Sequence, residues 1–353
     1  ICAYVNLFLK RDVGVNLHGI FSFSLGLHLY RSIIFPMARI FIVTVLVIFI
    51  NSCAEDTGID ITKTYLNPCD YIIEDFSEIN ISNSIYFGTD STLDVITWNL
   101  EQFPKHNSTV DYLLELIPIL NVDIIALQEI GSETDFQNLI NSLNNYDGII
   151  TNSAAYNINL AFLYSNDLEV EATYEIFTDD WRPFPRPPLV AHIIWEGEDV
   201  YVINNHYKCC GNGIIEDDED DEEYRRLQAI KYTKDYFENS LVNKNIVLVG
   251  DFNDELSDEK TNNIYWDFIS DNNNYRFVDL FIACNQNADW SYPSWSSHLD
   301  HILITNELFD EFNNEGSSAQ TILLEDYFDN SWNDYEKYIS DHRPVGLRLK
   351  FSQ

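Results

Sequence analysis

Short apolar runs alternate with amphipathic segments from Thr92 onward, and this alternation limits the fold more than any other feature of the sequence. Runs of four or five residues bounded by polar residues have the length and composition of buried strands. The predicted strands cover residues 94–98, 123–127, 200–204, 246–249 and 301–304. Strands that alternate with helices in this way predict a mixed-sheet α/β or α+β domain of about 260 residues.

The segments between these runs have helical periodicity or the pattern of a hairpin. Helices are predicted over residues 109–120 and, after Ser132, over residues 133–143. A third helix is predicted from an apolar face that consists of Tyr224, Leu227, Ile230 and Phe237. Residues 189–195 and 200–205 are predicted to form a hairpin across residues 196–199.

The charge balance excludes extended binding to a nucleic-acid backbone. The chain carries 20 basic and 57 acidic residues, a formal net charge of −37. Binding to a nucleic-acid backbone over a long distance requires a large cationic surface, which this composition does not supply. Any contact with a polyanion is therefore expected to be local.

The first 53 residues predict export. Met37 is the only methionine, and it is followed by Arg39, an apolar run over residues 40–50, and Cys53. An apolar run this short fits a signal peptide better than a membrane span, which needs about 20 apolar residues. Residues 50–53 resemble the lipobox of bacterial lipoproteins, in which the cysteine is lipidated. An ordinary cleaved secretory signal and an uncleaved anchor are the alternatives.

These features divide the chain into four parts. The expected location is the outer membrane, the periplasm or the cell surface, with the protein held to the membrane by its lipid. The parts are residues 1–36 before the expected start of the protein, 37–52 as signal peptide, 53–90 as a lipid-anchored linker, and 91–353 as the functional domain.

The cysteines outside the export segment permit several disulfide pairings. Cys69, Cys209, Cys210 and Cys284 remain after Cys2 and Cys53 are set aside, and four cysteines allow three pairings. Exported proteins can keep disulfides. We expect one bridge between the region of Cys209 and Cys210 and a distant cysteine, and the sequence does not choose the partner.

Polar side chains gather at the ends of the predicted strands. Carboxylate and amide oxygens are the ligands that Mg²⁺ prefers, and histidines can move protons or orient a phosphoryl oxygen near neutral pH. The strand ends carry Asn99, Glu129, His206, Asp251, Asn253, Asp300, Asp341 and His342. The sequence therefore predicts a metal and proton-transfer site at one edge of the sheets.

The order of these motifs resembles that of the endonuclease/exonuclease/phosphatase superfamily. The superfamily includes deoxyribonucleases of the pancreatic type, AP endonucleases, bacterial sphingomyelinases and inositol polyphosphate 5-phosphatases. The resemblance covers residues 91–351, and it implies a four-layered sandwich of two mixed β-sheets flanked by helices. The matching motifs are Trp98-Asn99, Gln128-Glu129, Asn205-His206, Gly250-Asp251-Phe252-Asn253, Asp300-His301 and Ser340-Asp341-His342-Arg343-Pro344.

The resemblance also implies a role for each matching residue. Glu129 corresponds to the principal metal ligand, with Asn99 and Asp341 beside it, and the implied ion is Mg²⁺, with Mn²⁺ or Ca²⁺ as alternatives. Glu101 lies where some relatives have Asp. The catalytic residues implied are Asp251 and Asn253, which orient water and phosphate, His342 held by Asp300, and the second histidine His206.

Two basic residues near these motifs have two interpretations. Arg186 precedes a predicted strand and resembles an arginine near the phosphate cleft of relatives, and Lys208 follows His206 by two residues. Either residue could contact a substrate phosphate or take part in a surface salt bridge.

The function implied is that of an exported, divalent-metal-dependent phosphoesterase. The first hypothesis is an extracellular nuclease or phosphodiesterase, and the second is a phosphomonoesterase or a sphingomyelinase-like lipid phosphodiesterase. A binding module that has lost catalysis is the third. The expected partners are a phosphate-ester substrate and the membrane, with no protein partner.

Overall fold

Two six-stranded mixed sheets form the centre of the molecule in a computed structural model that describes residues 67–72, 85–285 and 289–352. The first sheet has the order β11-β12-β1-β2-β4-β3, with β1 (Leu93–Phe103), β2 (Ile124–Ile130), β3 (Tyr146–Ile150), β4 (Asn159–Ser165), β11 (Ser318–Thr321) and β12 (Val345–Leu349). The second has the order β5-β6-β7-β8-β10-β9, with β5 (Glu169–Glu175), β6 (Leu189–Trp195), β7 (Glu198–His206), β8 (Asn245–Asp251), β9 (Tyr275–Phe277) and β10 (Asp300–Thr305).

The α-helices and shorter 3₁₀ turns connect and cover these strands. The α-helices are α1 (Thr109–Leu120), α2 (Glu133–Ser142), α3 (Glu222–Ser240), α4 (Trp266–Ile269), α5 (Leu280–Ala283), α6 (Phe309–Phe312) and α7 (Trp332–Tyr338). The 3₁₀ turns are Pro68–Tyr71, Ala155–Asn157, Pro293–Trp295, Asn306–Leu308 and Leu324–Tyr327.

Three apolar cores show that these elements pack in layers. Alternate residues of β1 point to opposite faces of their sheet, as strand geometry requires. Val95 belongs to the core between the two sheets, whereas Ile96 belongs to an outer core with Leu113 of α1. Ile230 of α3 packs in a third core on the outer face of the second sheet. The predicted four-layered sandwich is therefore confirmed.

The predicted elements lie where the sequence places them, with differences at the ends of two strands and in one turn. β1 and β2 continue five and three residues beyond their predicted ends at 98 and 127, because the pairing of each strand resumes after an irregularity. In the predicted hairpin, Trp195 pairs with Glu198, so the turn has two residues rather than four. Glu196 and Gly197 both have positive φ angles (49° and 90°), the conformation that a tight two-residue turn requires.

Two pairs of parallel strands bring their carboxyl ends together and so position the polar residues. β1 pairs with β2 in parallel, with Asn99 opposite Gln128. β7 pairs with β8 in parallel, with His206 opposite Asp251. Asp300 begins the antiparallel strand β10 opposite Asp251, so it lies at the same end of the second sheet.

Buried amides join the two sheets just behind these strand ends. Gln128 of the first sheet donates from Nε2 to Oδ1 of Asn204 in the second sheet at 2.8 Å. Asn204 in turn donates from Nδ2 to the carbonyl oxygens of Leu127 and Ala161, both at 3.0 Å. Both amide side chains are fully buried. Breaking a hydrogen bond between buried polar groups is costly, so these bonds fix the position of one sheet against the other beneath the site.

A disulfide bonds Cys69 to Cys284 across 215 residues. Our expectation that a bridge involves the region of Cys209 and Cys210 was wrong, because both of these cysteines are free. The bonded pair brings residues 67–72, which belong to the predicted linker, against the domain. Proximity decides the pairing, and the fold places Cys69 beside the end of α5 rather than beside the loop after β7.

The predicted start, signal peptide and lipidation site lie outside the described residues. Most of the predicted linker also lies outside them, and the domain boundaries stay a prediction. In the part of the chain that the structure describes, no helix is both long and apolar enough to cross a bilayer.

Candidate active site

A bulge near the end of β1 connects the predicted metal-binding residues. Glu101 and Gln102 both adopt the left-handed conformation (φ 43° and 58°), between the paired positions of Asn99 and Phe103. The Glu101 amide donates to Oδ1 of Asn99 at 2.9 Å, and the Gln102 amide donates to Oε2 of Glu129 at 3.0 Å. The bulge thereby holds two of the three predicted oxygen ligands by backbone hydrogen bonds.

The same bulge reaches the loop that follows α7. Oε2 of Glu101 accepts a hydrogen bond from the Asp341 amide at 2.9 Å and also pairs with Lys105. Asn99 and Asp341 are thus linked through Glu101. Glu101, whose role the sequence left open, joins the first sheet to the loop of Asp341, together with the bond from Ser340 Oγ to the Asn99 carbonyl.

Asp251 ends β8 in the centre of the site. Its Oδ2 accepts from Nδ2 of Asn99 at 2.9 Å, and its Oδ1 accepts from the Asn253 amide at 3.0 Å. Gly250 precedes it with φ of 151°, and a Cβ at this position would collide with the carbonyl of Asn205. Glycine is therefore required where β8 delivers Asp251. Burial raises the pKa of Asp251 to about 7, and the carboxylates of Asp300 and Glu129 add to this rise.

His342 is held by four neighbours. Its Nδ1 lies 2.7 Å from Oδ2 of Asp300, and the ring of Tyr292 packs against the imidazole at a centroid distance of 4.5 Å. Its amide donates to Ser340 Oγ at 2.9 Å, and its carbonyl accepts from the Tyr335 hydroxyl at 2.5 Å. Both the orientation of the ring and the position of the backbone are therefore fixed.

The charge of His342 follows from its acidic surroundings. Burial alone would lower the pKa of this imidazole, but Asp300, followed by Asp251 and Asp341, raises it to about 10. His342 is therefore protonated at neutral pH, with one N–H donated to Asp300. Its Nε2 lies 3.9 Å from Asp341 Oδ1 and is available to a substrate oxygen.

His206 lies between two carboxylates of the site and differs from His342 in its charge state. Its Nε2 is 3.8 Å from Glu129 Oε1 and 3.5 Å from Asp251 Oδ2. Burial, followed by the positive charges of Arg186 and His342, holds the pKa of His206 well below its usual value. The imidazole is therefore neutral, and we assign its proton to Nε2 because that nitrogen faces two acceptors. The site thus combines one charged and one neutral histidine.

The donor set fits a divalent cation. Carboxylate oxygens of Glu129 and Asp341 and the amide oxygen of Asn99 are hard ligands of the type that Mg²⁺ selects. Burial raises the pKa of Asp341 to about 6, and the nearby Glu101 carboxylate adds to the rise. A carboxylate whose pKa is raised by burial and by a neighbouring negative charge is stabilised in its ionised form by a cation placed beside it.

Among the described residues, two other groups each place three potential ligand atoms within 4.8 Å of one another. The first consists of Asp279, His298 and His301, and the second of Asp221, Glu222 and Glu223. The first group is a closed hydrogen-bond network. Asp279 Oδ2 accepts from His301 Nδ1 at 2.6 Å and from His298 Nε2 at 3.2 Å. The second nitrogen of His301 lies 3.0 Å from the Asp254 carbonyl, so both nitrogens donate and this imidazole is charged.

The two predicted phosphate contacts occupy different environments. Arg186 is buried and donates from Nη1 to the Tyr207 carbonyl at 3.2 Å, one residue from His206. Its Nε is buried without a hydrogen-bond partner among the described residues. Lys208 lies 3.4 Å from Glu222 and donates to the Cys209 carbonyl at 2.7 Å. Arg186 is thus beside the site, whereas Lys208 belongs to the loop that follows β7.

Sequence reasoning missed three residues that shape the site. Tyr292 packs on His342, and no local signal in the sequence indicated this contact. Tyr335 links Trp98 to the His342 carbonyl, accepting from Trp98 Nε1 at 2.9 Å. Gln102 supplies the amide that holds Glu129. The signal for Gln102 was its place directly after the strand-end motif, although only its backbone takes part.

Comparison with known proteins gives a match to one family and a set of solved structures with a similar fold. The model of the endonuclease/exonuclease/phosphatase family matches residues 96–342, which is more than half of the chain. A comparison with curated proteins found no match.

Solved structures share the fold at low sequence identity. TDP2 from D. rerio, complexed with a single strand DNA product, is 14% identical with a TM-score of 0.54 over 74% of this chain and 100% of that one. The human Nocturnin catalytic domain with a bound sulfate anion is 18% identical with a TM-score of 0.53 over 74% and 94%. An endonuclease/exonuclease/phosphatase from Bacteroides vulgatus is 15% identical with a TM-score of 0.52 over 74% and 100%. At these identities the similarity shows the fold alone.

Proposed function

The chain belongs to the endonuclease/exonuclease/phosphatase family, whose members are hydrolases that act on phosphate esters, and from this we propose that it is a divalent-metal-dependent phosphodiesterase that cleaves nucleic acid. One observation carries the proposal. The Asp300–His342 pair, at 2.7 Å, lies at the same edge as Asp251 and Glu129, so a proton donor and an anionic ligand set face one reaction site.

The family generally uses divalent metals, and here Glu129, Asn99 and Asp341 would hold the ion. When bound, the ion stabilises negative charge that develops on the phosphate oxygens. The proposed ion is Mg²⁺ or Mn²⁺, because the ligand atoms are all oxygen.

The protein's own residues have separate tasks in the proposed reaction. The imidazolium of His342 donates from Nε2 to a phosphoryl or leaving oxygen, and Asp300 keeps the ring charged and oriented. Asp251 and Asn253 orient the attacking water and the phosphate, with their mutual geometry fixed by the bond from the Asn253 amide. The proton of the water passes to Asp251, because the doubly protonated ring of His342 has no free nitrogen to accept it.

The neutral His206 and the buried Arg186 complete the proposed phosphate site. His206 donates from Nε2, and a neutral donor orients a phosphoryl oxygen without adding a charge. Arg186 presents a guanidinium beside the Tyr207 carbonyl and supplies the positive charge that the phosphate needs. We keep Lys208 as a weaker candidate, because its ammonium group pairs with Glu222.

Exposed aromatic side chains on loops at the active-site edge favour nucleic acid over lipid. Trp295 is 75% exposed at the tip of a turn, and the first residue of that turn, Tyr292, packs on His342. Trp181 and Tyr156 are exposed on the loops before β6 and β4. Bases stack on such rings. A membrane-inserting surface would need neighbouring apolar residues, whereas Trp295 lies between Ser294 and Ser296.

A substrate panel tests the proposal. The purified protein should cleave a single-stranded oligonucleotide in Mg²⁺ and lose this activity in a chelator, with slower hydrolysis of sphingomyelin and p-nitrophenyl phosphate. Preference for sphingomyelin would support the lipid phosphodiesterase, and preference for p-nitrophenyl phosphate the phosphomonoesterase. No hydrolysis of any substrate would support the binding module. His192, a half-buried histidine of β6, provides the control variant His192→Ala, which should stay active.

We also propose that the protein is exported and held to a membrane through a lipid on Cys53. The support is the sequence pattern from Met37 to Cys53. Mass spectrometry of the native N-terminus tests the proposal. A lipidated Cys53 is expected, and an unmodified N-terminus at another residue would contradict it.

A further inference from the structure

Two adjacent cysteines lie in the loop that follows the active-site strand β7. The sulfur atoms of Cys209 and Cys210 are 2.9 Å apart, within about 1 Å of the length of a covalent S–S bond. Cys210 is exposed and Cys209 is half-buried. Cys210 has φ of 74°, which is uncommon for a residue with a side chain.

Hydrogen bonds tie this loop to the active site. Nη1 of the buried Arg226 donates to the carbonyls of Lys208 and Cys210 at 2.7 and 2.8 Å. The same guanidinium binds Asp254 at 2.9 Å, one residue after Asn253. Lys208 lies two residues after His206 and donates to the Cys209 carbonyl at 2.7 Å. A change in the peptide groups at 209 and 210 therefore alters the contacts of both Lys208 and Arg226.

We propose that Cys209 and Cys210 form a reversible redox modification site, in which a vicinal disulfide replaces the two thiols. Adjacent Cα atoms are about 3.8 Å apart, whereas those of ordinary disulfides are about 4.4–6.8 Å apart. A disulfide outside the usual range is strained, and strained, exposed disulfides are the readily reduced ones. This pair thus differs from the Cys69–Cys284 bridge, which spans 215 residues.

The oxidant is a low-molecular-weight disulfide, R–S–S–R. The thiolate of the exposed Cys210 attacks one sulfur, forming a mixed disulfide and releasing one R–S⁻. The thiolate of Cys209 then attacks the sulfur of Cys210, which closes the ring and releases the second R–S⁻. The two protons from the cysteine thiols go to the two released thiolates. Two protein thiols are thereby oxidised, and one R–S–S–R is reduced to two R–SH.

Ring closure acts on the active site through the peptide groups of this loop. The eight-membered ring requires the peptide between the two cysteines to reorient, and the carbonyl of Cys209 then no longer accepts from Lys208. This consequence rests on the proposed function, because Lys208 is a candidate for the substrate phosphate. We expect oxidation to lower kcat/KM for an oligonucleotide several-fold, mainly through KM.

Mass spectrometry tests the modification without reference to activity. The purified protein is incubated with oxidised glutathione, unreacted thiols are alkylated, and the peptide that contains both cysteines is analysed. The expected product carries neither an alkyl group nor glutathione, has lost two hydrogens, and recovers both thiols in dithiothreitol. Alkylation of both cysteines, or a stable glutathione adduct on either, would overturn the proposal.

Single variants give the matched controls. Cys209→Ser should accumulate glutathione on Cys210, because no neighbouring thiol can displace it. Cys210→Ser should react more slowly, because Cys209 is half-buried. If Cys209→Ser accumulated no more glutathione than wild type, this result would also overturn the proposal.

The activity assay tests the link to Lys208. Oxidised wild-type protein should show the raised KM, dithiothreitol should reverse it, and Cys209→Ser/Cys210→Ser should not respond to oxidised glutathione. Unchanged kinetics of a protein whose disulfide is verified by mass would overturn the link. Absence of hydrolysis in the reduced protein would instead count against the proposed function, and the mass measurement would still decide the modification.

Discussion

Oδ2 of Asp300 lies 2.7 Å from Nδ1 of His342, and the carboxylate is fully buried. The pair joins the start of β10 to the loop after α7, 42 residues apart in the sequence. A buried carboxylate beside an imidazole keeps the ring protonated and in one orientation. The geometry therefore makes His342 a fixed cationic donor at the edge of the two sheets.

Replacement of Asp300 by Asn should remove most of the activity while the fold persists. The amide cannot stabilise the imidazolium, so the reaction loses its charged donor, and we expect kcat to fall by about 100- to 10,000-fold with a smaller change in KM. Steady-state kinetics on an oligonucleotide measures this effect. Asp310→Asn, at an exposed carboxylate of α6, is the control. A kcat within twofold of wild type in Asp300→Asn would contradict the assigned role.

Replacement of Tyr335 by Phe should weaken both the fold and the site. The buried hydroxyl accepts from Trp98 and donates to the His342 carbonyl, and its loss leaves two buried polar groups unpaired. We expect the free energy of unfolding to fall by about 1–3 kcal/mol. Urea unfolding measures this change, with Tyr156→Phe at a 93% exposed position as the control. Equal stabilities of the two variants would show that the hydroxyl does not hold the loop.

The buried carboxyl group of Asp94, at the start of β1, and the half-buried carboxyl group of Asp123 beside it should make the protein more stable at mildly acidic pH. Burial raises the pKa of Asp94 to about 7 and that of Asp123 to about 6. The folded state therefore binds more protons than the unfolded state between about pH 4 and pH 7, so stability falls as pH rises through this range. For Asp94 the upper limit of this effect is about 4 kcal/mol.

Melting temperatures between pH 5 and pH 8 measure this dependence. Asp94→Asn should be less sensitive to pH than wild type, because the amide does not ionise and can still accept from the Thr89 amide. Asp90→Asn changes an exposed carboxylate and should keep the wild-type dependence. Identical pH profiles of wild type and Asp94→Asn would contradict the role assigned to burial.

Long duplex DNA should be a poor substrate at low salt. The net charge of −37 and the exposed acids at residues 216–220, close to the His206 loop, repel a polyanion outside the local site. Raising ionic strength from about 0.01 to about 0.15 M shortens the screening length from roughly 30 to roughly 8 Å. Cleavage of plasmid DNA should then become faster, with little change for a dinucleotide. A duplex rate that falls with added salt would reveal a cationic cleft.

Local patterns predicted the elements and the place of the site. The apolar run at 246–249 became β8, and the carboxylate that follows it, Asp251, lies where parallel strand ends meet. The prediction of β8 and of the position of Asp251 succeeded because strand periodicity and the ends of strands depend on neighbouring residues in the sequence. The eight consecutive acids at 216–223 have the composition of a solvated loop, but the last of them, Glu223, is buried beside Arg226 as α3 begins.

Contacts between distant segments could not be predicted in this way. The left-handed bulge at Glu101 and Gln102 has no glycine to mark it, and it is held by Glu129 and Asp341 from other elements. The partner of Cys69 likewise depends on the finished fold. Such features arise from tertiary contacts that override local propensity.

Replacement of Glu129 and replacement of His342 should impair different steps, metal binding in the first variant and proton donation in the second. Glu129→Gln removes a charged ligand and should weaken metal binding, whereas His342→Ala should bind the ion and lose the proton donor. Calorimetric titration of Mn²⁺ into both variants gives a readout that does not depend on activity. Equal affinities in the two variants would contradict this division of roles.

The rate of oligonucleotide cleavage as a function of Mg²⁺ concentration tests whether this site hydrolyses phosphodiesters with a divalent metal. Wild type should show no cleavage in a chelator and a saturable rise with Mg²⁺. Glu129→Gln should need a Mg²⁺ concentration at least about tenfold higher, and His342→Ala should stay at least about 100-fold slower even at saturating Mg²⁺. Full activity in the chelator, or wild-type rates for both variants, would contradict metal-dependent hydrolysis at this site.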